Sequence, residues 1–323
     1  MRTQFNTVVL DGYTLNPGDL SWDALKKICN VTVYDKTLPE EIFDRAKEAD
    51  AVLTNKVILS KETMEKLPRL KYIGVLATGY NVVDVNAANE KGICVTNIPS
   101  YSTDSVAQSI FAFILNFFWH IKDHSDEVLN GKWASSEHFC YHSYPLHELS
   151  FKTIGIIGFG HIGQAAAKIA LSMNMKVIYV NRSKKSIIGL EEAKQVTLDE
   201  LLSASDIISL NCPLTAETNK IINTETLQKM KPSVYLVNTG RGTLVDEEAV
   251  AKALIEKRIA GFACDVLSTE PPAANNPLLS APNCTITPHI AWQTSEARNR
   301  LMEIAVNNVQ AFITGKPINQ VNN

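Results

Sequence analysis

What this chain has little of narrows the field first. Its opening residues, MRTQFNTVVLDG, hold no apolar run of signal-peptide length, and its greasiest stretch, Val106 to Trp119, is interrupted by Gln108, Ser109 and Asn116. Neither segment suits export or a membrane span, so a cytoplasmic protein with no membrane partner is expected. Charge of one sign is lacking too. The 31 Lys and Arg against 34 Asp and Glu leave a formal net charge of -3, with the basic residues spread along the chain. That removes any general attraction to nucleic acid. The six cysteines, at 29, 94, 140, 212, 264 and 284, form no close pair. A zinc knuckle or a dense disulfide frame is thereby excluded, and mostly buried, reduced thiols are expected. Repeats and low-complexity segments are absent as well. What remains is an ordinary globular composition of 323 residues, 45% hydrophobic and 20% charged, able to bury a sizeable core and long enough for two domains.

The apolar residues follow a rhythm. From Val8 to Asn97 the runs VVLD, VTVY, AVLT, YIGVLA and ICVTN alternate with helix-like stretches such as SWDALKKI, PEEIFDRAKEA and VVDVNAANEKG. Alternation of this kind predicts a parallel sheet with helices on both faces. The rhythm restarts at Thr153 with TIGIIG, KVIYV, DIISL, VYLVN, IAGFACDV and CTITP. The fold class read from this is α/β, with two doubly wound parallel-sheet domains. Between them, Thr103 to His124 has apolar residues at helical spacing, with Asp104 or Ser102 placed to cap its start, which predicts one long helix crossing between the units. Thr294 to Thr314 predicts a terminal helix with Leu301, Ile304, Ala305, Val309 and Phe312 on one side, returning to the first unit. The expected boundaries are residues 1–101 with 293–323 for a discontinuous domain, and 102–292 for the second.

One turn in the second domain carries chemistry. IGIIGFGHIG places Gly158, Gly160 and Gly163 in G-x-G-x-x-G spacing directly after a strand and at the head of the helical run QAAAKIALSM. In that context Gly158 permits a tight turn, Gly160 lets backbone approach a pyrophosphate, and Gly163 lets the helix pack on the strand. Free N–H groups from Phe159 to Ile162, His161 among them, are expected to meet the phosphates. The ribose-reading position at the end of the next strand, eighteen residues past Gly163, is Asn181 rather than Asp or Glu. Without a carboxylate there, and with Arg182, Ser183 and Lys184 beside it, a 2'-phosphate can be bound, which favours NADP(H). NAD(H), held through neutral hydrogen bonds, is the alternative.

Three polar groups follow later strands. VYLVNTGRGTLVDEEAV puts Arg241 in a glycine-rich turn, CDVLSTEPP puts Asp265 and Glu270 after the next run, and TITPHIAW puts His289 after the last. Strand ends of this kind form the ligand rim of open α/β sheets. Reduction of a 2-oxo acid needs a cation for its carboxylate, an acid for its carbonyl oxygen and a group that keeps that acid charged. Arg241, His289 and Glu270 meet those needs in turn, since a carboxylate beside imidazole favours imidazolium. A structural role for His289 or Glu270 is the plainer alternative. The stretch WASSEHFCYHSYP, residues 133–145, holds His138, Cys140 and His142, and His147 follows. With Pro145 against a continuous helix and no acidic partner, no metal site is expected there; an aromatic loop in a dimer contact or over a site mouth is.

At these residues the chain resembles the D-isomer-specific 2-hydroxyacid dehydrogenase family along nearly its whole length. The likeness rests on GFGHIG, on NCPLT (211–215) with Thr218 after it, on VNTGRGTLVDEEAV, CDVLSTEPP and TPHIAW. It implies a Rossmann-type cofactor domain and a flavodoxin-like substrate domain that close over the substrate, and a homodimer through the cofactor domain. It implies Arg241, Glu270 and His289 as catalytic residues, and cofactor contacts at Gly158, Gly160, His161, Ile162, Cys212, Pro213, Thr218, Thr239 and Asp265, the last near the nicotinamide amide. In VLATGYNVVD it implies a substrate loop whose backbone N–H groups around Ala77, Thr78 and Gly79 hold the carboxylate. The resemblance is strongest to the glycerate dehydrogenase, or hydroxypyruvate and glyoxylate reductase, branch. A short-form phosphoglycerate or D-lactate type dehydrogenase is an alternative, with no regulatory domain expected after the terminal helix. Glu rather than Gln at 270 speaks against the formate dehydrogenase branch. An NAD(H)-sensing, corepressor-like binding protein is the alternative of another class.

Overall fold

The computed structural model describes residues 5–183 and 187–322. Lys184, expected to support a phosphate site, lies outside them. The chain forms two compact units, one drawn from the segment up to Ser102 together with that from Gln293 onward, the other from Thr103–Trp292.

In the first unit β1 (Asn6–Val9), β2 (Asn30–Val33), β3 (Ala51–Thr54), β4 (Tyr72–Val75) and β5 (Cys94–Thr96) pair in parallel in the order β2-β1-β3-β4-β5. β3 and β4 are buried along their whole length. A strand covered on both faces needs side chains that tolerate burial on both, which is why AVLT and YIGV read as unbroken runs. Val8, Val52, Ile73 and Val95 share one core with Ala87 and Ala88 of the Val85–Glu90 helix. The terminal helix, Ser295–Ile313, is capped by the Thr294 hydroxyl, which accepts from the Ala297 N–H. It is fixed within this unit by Arg298, which forks onto the Asp19 carboxylate with two bonds of 2.7 Å.

In the second unit β6 (Thr153–Ile157), β7 (Lys176–Val180), β8 (Lys194–Gln195), β9 (Ile207–Leu210), β10 (Tyr235–Asn238), β11 (Gly261–Cys264) and β12 (Cys284–Ile286) are also parallel, in the order β12-β11-β10-β9-β6-β7-β8. The sense of chain progression reverses between β6 and β9, and at such a switch point the loops leaving the two strands diverge and leave a crevice. β8 escapes the sequence pattern because it is two exposed residues at the sheet edge. Ile157, Ile208, Leu236 and Phe262 lie in the core beneath the strand ends.

The expected single helix from Thr103 to His124 is corrected. It runs Thr103–Trp119, stops, and a second helix follows at Ile121–Leu129. His120 turns left-handed at φ 47, with its ring stacked on Tyr144 at 4.6 Å and its Nδ1 3.1 Å from Asp123 Oδ2. No proline or glycine stands at this break, which coincides with the stacking of His120 on Tyr144. Among the described residues no helix is long and apolar enough to cross a membrane. All six cysteines are free, with Cys29, Cys94 and Cys264 buried and Cys140 exposed.

Candidate active site

The glycine turn leaves β6 and opens the helix His161–Ser172. At Gly158 φ is +96, and a Cβ there would stand 2.5 Å from the backbone nitrogen of Cys212. Only glycine allows both the conformation and the contact, so the turn is pressed against the chain leaving β9. A Cβ on Gly163 would lie 2.3 Å from the Gly158 carbonyl, and its absence lets the helix sit down on β6. Gly160 differs, because nothing lies within 4 Å of a Cβ placed there. That glycine faces open room. No side chain caps the helix, leaving the N–H groups of His161 and Ile162 to a ligand or to water.

Two buried polar atoms border the same crevice without partners, Asn211 Oδ1 just past β9 and Thr239 Oγ1 just past β10. Buried groups of this kind are normally satisfied, and a bound molecule bearing donors and acceptors would satisfy them. Together with the room above Gly160, they fit a dinucleotide. Burial pushes the Cys212 thiol up, so it offers a neutral contact surface at this rim.

Two details depart from expectation. The Phe159 N–H is not free but donates to Asn181 Oδ1 at 3.3 Å, and Asn181 Nδ2 donates to the Ser183 carbonyl at 2.8 Å. Asn181 therefore braces the turn from the end of β7, where the Phe159 and Tyr179 rings stack at 3.8 Å. The Thr218 hydroxyl is also committed, donating to the Pro213 carbonyl at 2.7 Å and accepting from the Thr215 N–H at 2.8 Å. It shapes the 213–218 loop. Arg182 and Ser183 are exposed. Glu217 in that loop is held below the usual carboxylate range by a Thr215 hydrogen bond, its own amide and the charge of Arg182.

Along the rest of the rim the sheet brings the expected groups to adjacent strand ends. At the end of β10, buried Asn238 accepts from the Gly240 N–H and donates to the Arg241 carbonyl at 2.9 Å, bridging the turn that presents Arg241. Gly242 follows because a Cβ there would overlap the Leu267 carbonyl carbon at 1.9 Å. The turn bearing Arg241 thus lies against the loop bearing Glu270. Glu270 Oε1 accepts from the Leu267 N–H at 3.1 Å, and its Oε2 lies 2.6 Å from His289 Nδ1. A carboxylate only accepts, so Nδ1 carries the hydrogen and Nε2 is left for exchange with a substrate. Both side chains remain partly open, at 28% for His289 and 32% for Glu270.

His289 sits at φ +57, a conformation a side-chain-bearing residue adopts only when its surroundings hold it. Asp265 supplies that hold. Its Oδ1 accepts from the Thr287 hydroxyl at 2.6 Å and the Ile290 N–H at 2.8 Å, and its Oδ2 accepts from the Ala291 N–H at 2.8 Å. Burial pushes this carboxyl up, against the three hydrogen bonds, which favour its charged form. Asp265 was expected as a cofactor contact; the structure adds that it fixes the turn of His289. Asn238 was missed in the sequence, although Asn before Thr-Gly at a strand end is an Asx-turn signal.

The remaining expected residues, Ala77, Thr78 and Gly79, follow β4 in the first unit. The Thr78 hydroxyl donates to the Ile98 carbonyl at 2.7 Å, Asn97 Nδ2 donates to the Thr78 carbonyl at 2.8 Å, and Asn55 Nδ2 donates to the Leu76 carbonyl at 2.6 Å. The loop's side chain and carbonyls are tied down. Among the described residues, no acceptor meets the N–H groups of Ala77, Thr78 and Gly79. His138 and His142 lie on no helix, and among the described residues no three His, Cys, Asp or Glu are grouped to hold a metal.

Comparisons with known proteins place the chain in a family. The model of the D-isomer specific 2-hydroxyacid dehydrogenase, NAD binding domain, matches residues 111–291. A hydroxypyruvate reductase from Blautia hydrogenotrophica is 49% identical over 318 residues, covering 98% of this chain and 99% of its own. Among solved structures, an acyclic imino acid reductase in complex with NADPH and D-Arg matches at TM-score 0.85 and 33% identity, over 98% and 99% of the two chains. A D-lactate dehydrogenase from Aquifex aeolicus complexed with NAD and lactic acid matches at TM-score 0.84 and 32% identity, over 96% of each. The paired imidazole and carboxylate at the sheet's carboxyl edge therefore have a family, and this chain belongs to the D-isomer-specific 2-hydroxyacid dehydrogenases.

Proposed function

We propose that this chain reversibly reduces a small 2-oxo acid, hydroxypyruvate or glyoxylate, to D-glycerate or glycolate. The observation that carries this reading is the 2.6 Å pairing of Glu270 with His289 Nδ1, which leaves Nε2 as the exchanging nitrogen. When bound, the nicotinamide supplies the hydride. Arg241 holds and polarises the substrate, and the first unit, taken by itself, offers a carboxylate the amides of Ala77, Thr78 and Gly79. His289 gives the Nε2 proton to the carbonyl oxygen as negative charge develops there, and Glu270 holds the imidazole through Nδ1. In the reverse direction neutral His289 takes the hydroxyl proton. Gly158, Gly160, His161 and Ile162 would hold the pyrophosphate of the cofactor, Cys212, Pro213 and Thr239 would line its cleft, and Asp265 would contribute a carboxylate near its nicotinamide amide.

The cofactor of this reading is NADP(H), because no carboxylate stands at 181 and Arg182 is exposed beside it. The protein works in the cytoplasm as a homodimer through the second unit, where Trp119, Ile121, Leu129 and Phe139 are exposed apolar side chains. Steady-state kinetics with hydroxypyruvate, glyoxylate and pyruvate, each with NADH and NADPH, test it. Hydroxypyruvate or glyoxylate is expected to exceed pyruvate in kcat/KM, and Arg182→Ala to erode the preference for NADPH roughly tenfold by removing a charge-assisted phosphate contact. An unchanged cofactor ratio contradicts the role of Arg182 alone. Tight cofactor binding with no turnover of any 2-oxo acid contradicts the enzyme.

A further inference from the structure

Glu270 stands on a loop with no regular structure from Val266 to Asn276, yet His289 requires it within hydrogen-bonding distance. Something has to hold that loop. The Leu267 N–H bond to Glu270 is internal to it and fixes only its own shape. The external hold comes from Glu247. One of its oxygens, Oε1, accepts from the Ser268 N–H at 2.6 Å; the other, Oε2, accepts from the Ser268 hydroxyl at 2.9 Å and from Asn276 Nδ2 at 2.8 Å. One carboxylate thus grips the loop near both ends, two residues before Glu270 and six after it.

The placement of Glu247 strengthens the point. It is the first residue of the helix Glu247–Ile255, which follows the Arg241 turn within six residues. An acidic residue in a first turn usually serves the helix itself, as a cap or against the dipole. Here the capping task is done by Asp246, whose Oδ1 accepts from the Ala249 N–H. Glu248, next along, is exposed. Both oxygens of Glu247 are directed to the neighbouring loop instead. Gly242 makes the same join from the backbone side, with no room for a Cβ against Leu267. The Arg241 turn and the Glu270 loop are therefore joined twice, once by close backbone packing and once by a charged clamp.

We infer that Glu247 is a positioning residue for the reaction: it holds the loop that keeps Glu270 against His289, and so holds in place the imidazole that gives its proton to the substrate. The inference rests on the catalytic reading of Glu270 and His289 given above. The test is the split between kcat and KM for hydroxypyruvate reduction, with cofactor Kd, in Glu247→Ala, Glu247→Gln, Ser268→Ala and, as the reference for that reading, Glu270→Gln. Glu270→Gln alters the group paired with His289 Nδ1, so kcat falls with cofactor Kd unchanged. Glu247→Ala is expected to lower kcat near neutral pH roughly tenfold, with KM and cofactor Kd unchanged. Glu247→Gln keeps an acceptor for the Ser268 N–H and restores most of the rate. Ser268→Ala removes a single clamp bond, leaves residue 247 intact, and gives a smaller fall of kcat. If Glu270→Gln lowers kcat while Glu247→Ala and Ser268→Ala leave it in place, the positioning role is wrong and the catalytic pair stands. If Glu270→Gln itself leaves kcat in place, the catalytic reading fails, and the role of Glu247 with it.

Discussion

The loop after β4 in the first unit and the rim of the second are built on opposite plans. Around Ala77, Thr78 and Gly79 the side chains of Asn55, Thr78 and Asn97 are spent on carbonyls, and bare N–H groups are what remains to meet a ligand. At Arg241 and His289 it is the backbone of the turn that Asn238 and Asp265 hold, at Glu270 the loop is gripped by Glu247, and the side chains carry the proposed chemistry. A backbone-built site can grip a carboxylate but cannot exchange a proton, because an amide N–H does not titrate near neutral pH. A side-chain-built site can do both. On the function proposed above the difference divides binding from chemistry, and single substitutions can break it.

The largest effect belongs to the rim. His289→Ala removes the proton donor and leaves the glycine turn untouched, so kcat for reduction should fall by roughly 10²–10⁴ while cofactor Kd stays constant, measured by steady-state kinetics and cofactor titration. An unchanged kcat would remove His289 from the chemistry. Next comes the backbone plan. Asn55 is 5% exposed, and Asn55→Ala leaves the Leu76 carbonyl without its donor. A stability loss of about 1–3 kcal/mol is expected from denaturant unfolding, together with a higher KM and a kcat close to that of the unaltered protein.

The smallest effect concerns acid stability of the second unit alone. Burial raises the Asp206 carboxyl, but its bond from the Thr153 N–H and the Lys231 ammonium outweigh that, and the net direction is down. A carboxyl lowered on folding contributes stability above its unfolded pKa of about 3.9, and that contribution is lost as pH falls through the lower folded value. Asp206→Asn should therefore lower Tm at neutral pH, by about 1 kcal/mol of stability, and the gap from the unaltered protein should close below pH ~4. A gap that persists in strong acid would assign the loss to packing rather than charge.

Much of this was legible in the sequence, and the rest was not for definite reasons. The strands of both sheets showed themselves as apolar runs because parallel strands are buried on both faces, and the three glycines spoke through their spacing. Arg241, Glu270 and His289 could be found because strand ends are where a parallel sheet gathers its polar groups. The amides after β4 were named through the family resemblance alone, since any glycine-containing turn offers N–H groups and only tertiary contacts decide which stay free. Tertiary structure likewise decides the Asn181 bond to Phe159, 22 residues away, and the grip of Glu247 on Ser268 and Asn276, 21 and 29 residues away. Side chains that act by holding a distant loop leave no local pattern. The helix break at His120 belongs with them, because the residue is ordinary in a helix and the break coincides with its stacking on Tyr144.

The most direct test of the divided plan is one kinetic comparison, kcat and KM for hydroxypyruvate in His289→Ala beside Asn55→Ala. The account predicts that the first loses kcat with KM nearly constant and the second has a raised KM with kcat nearly constant. Equal losses of kcat in both, or a change confined to KM in His289→Ala, would contradict it.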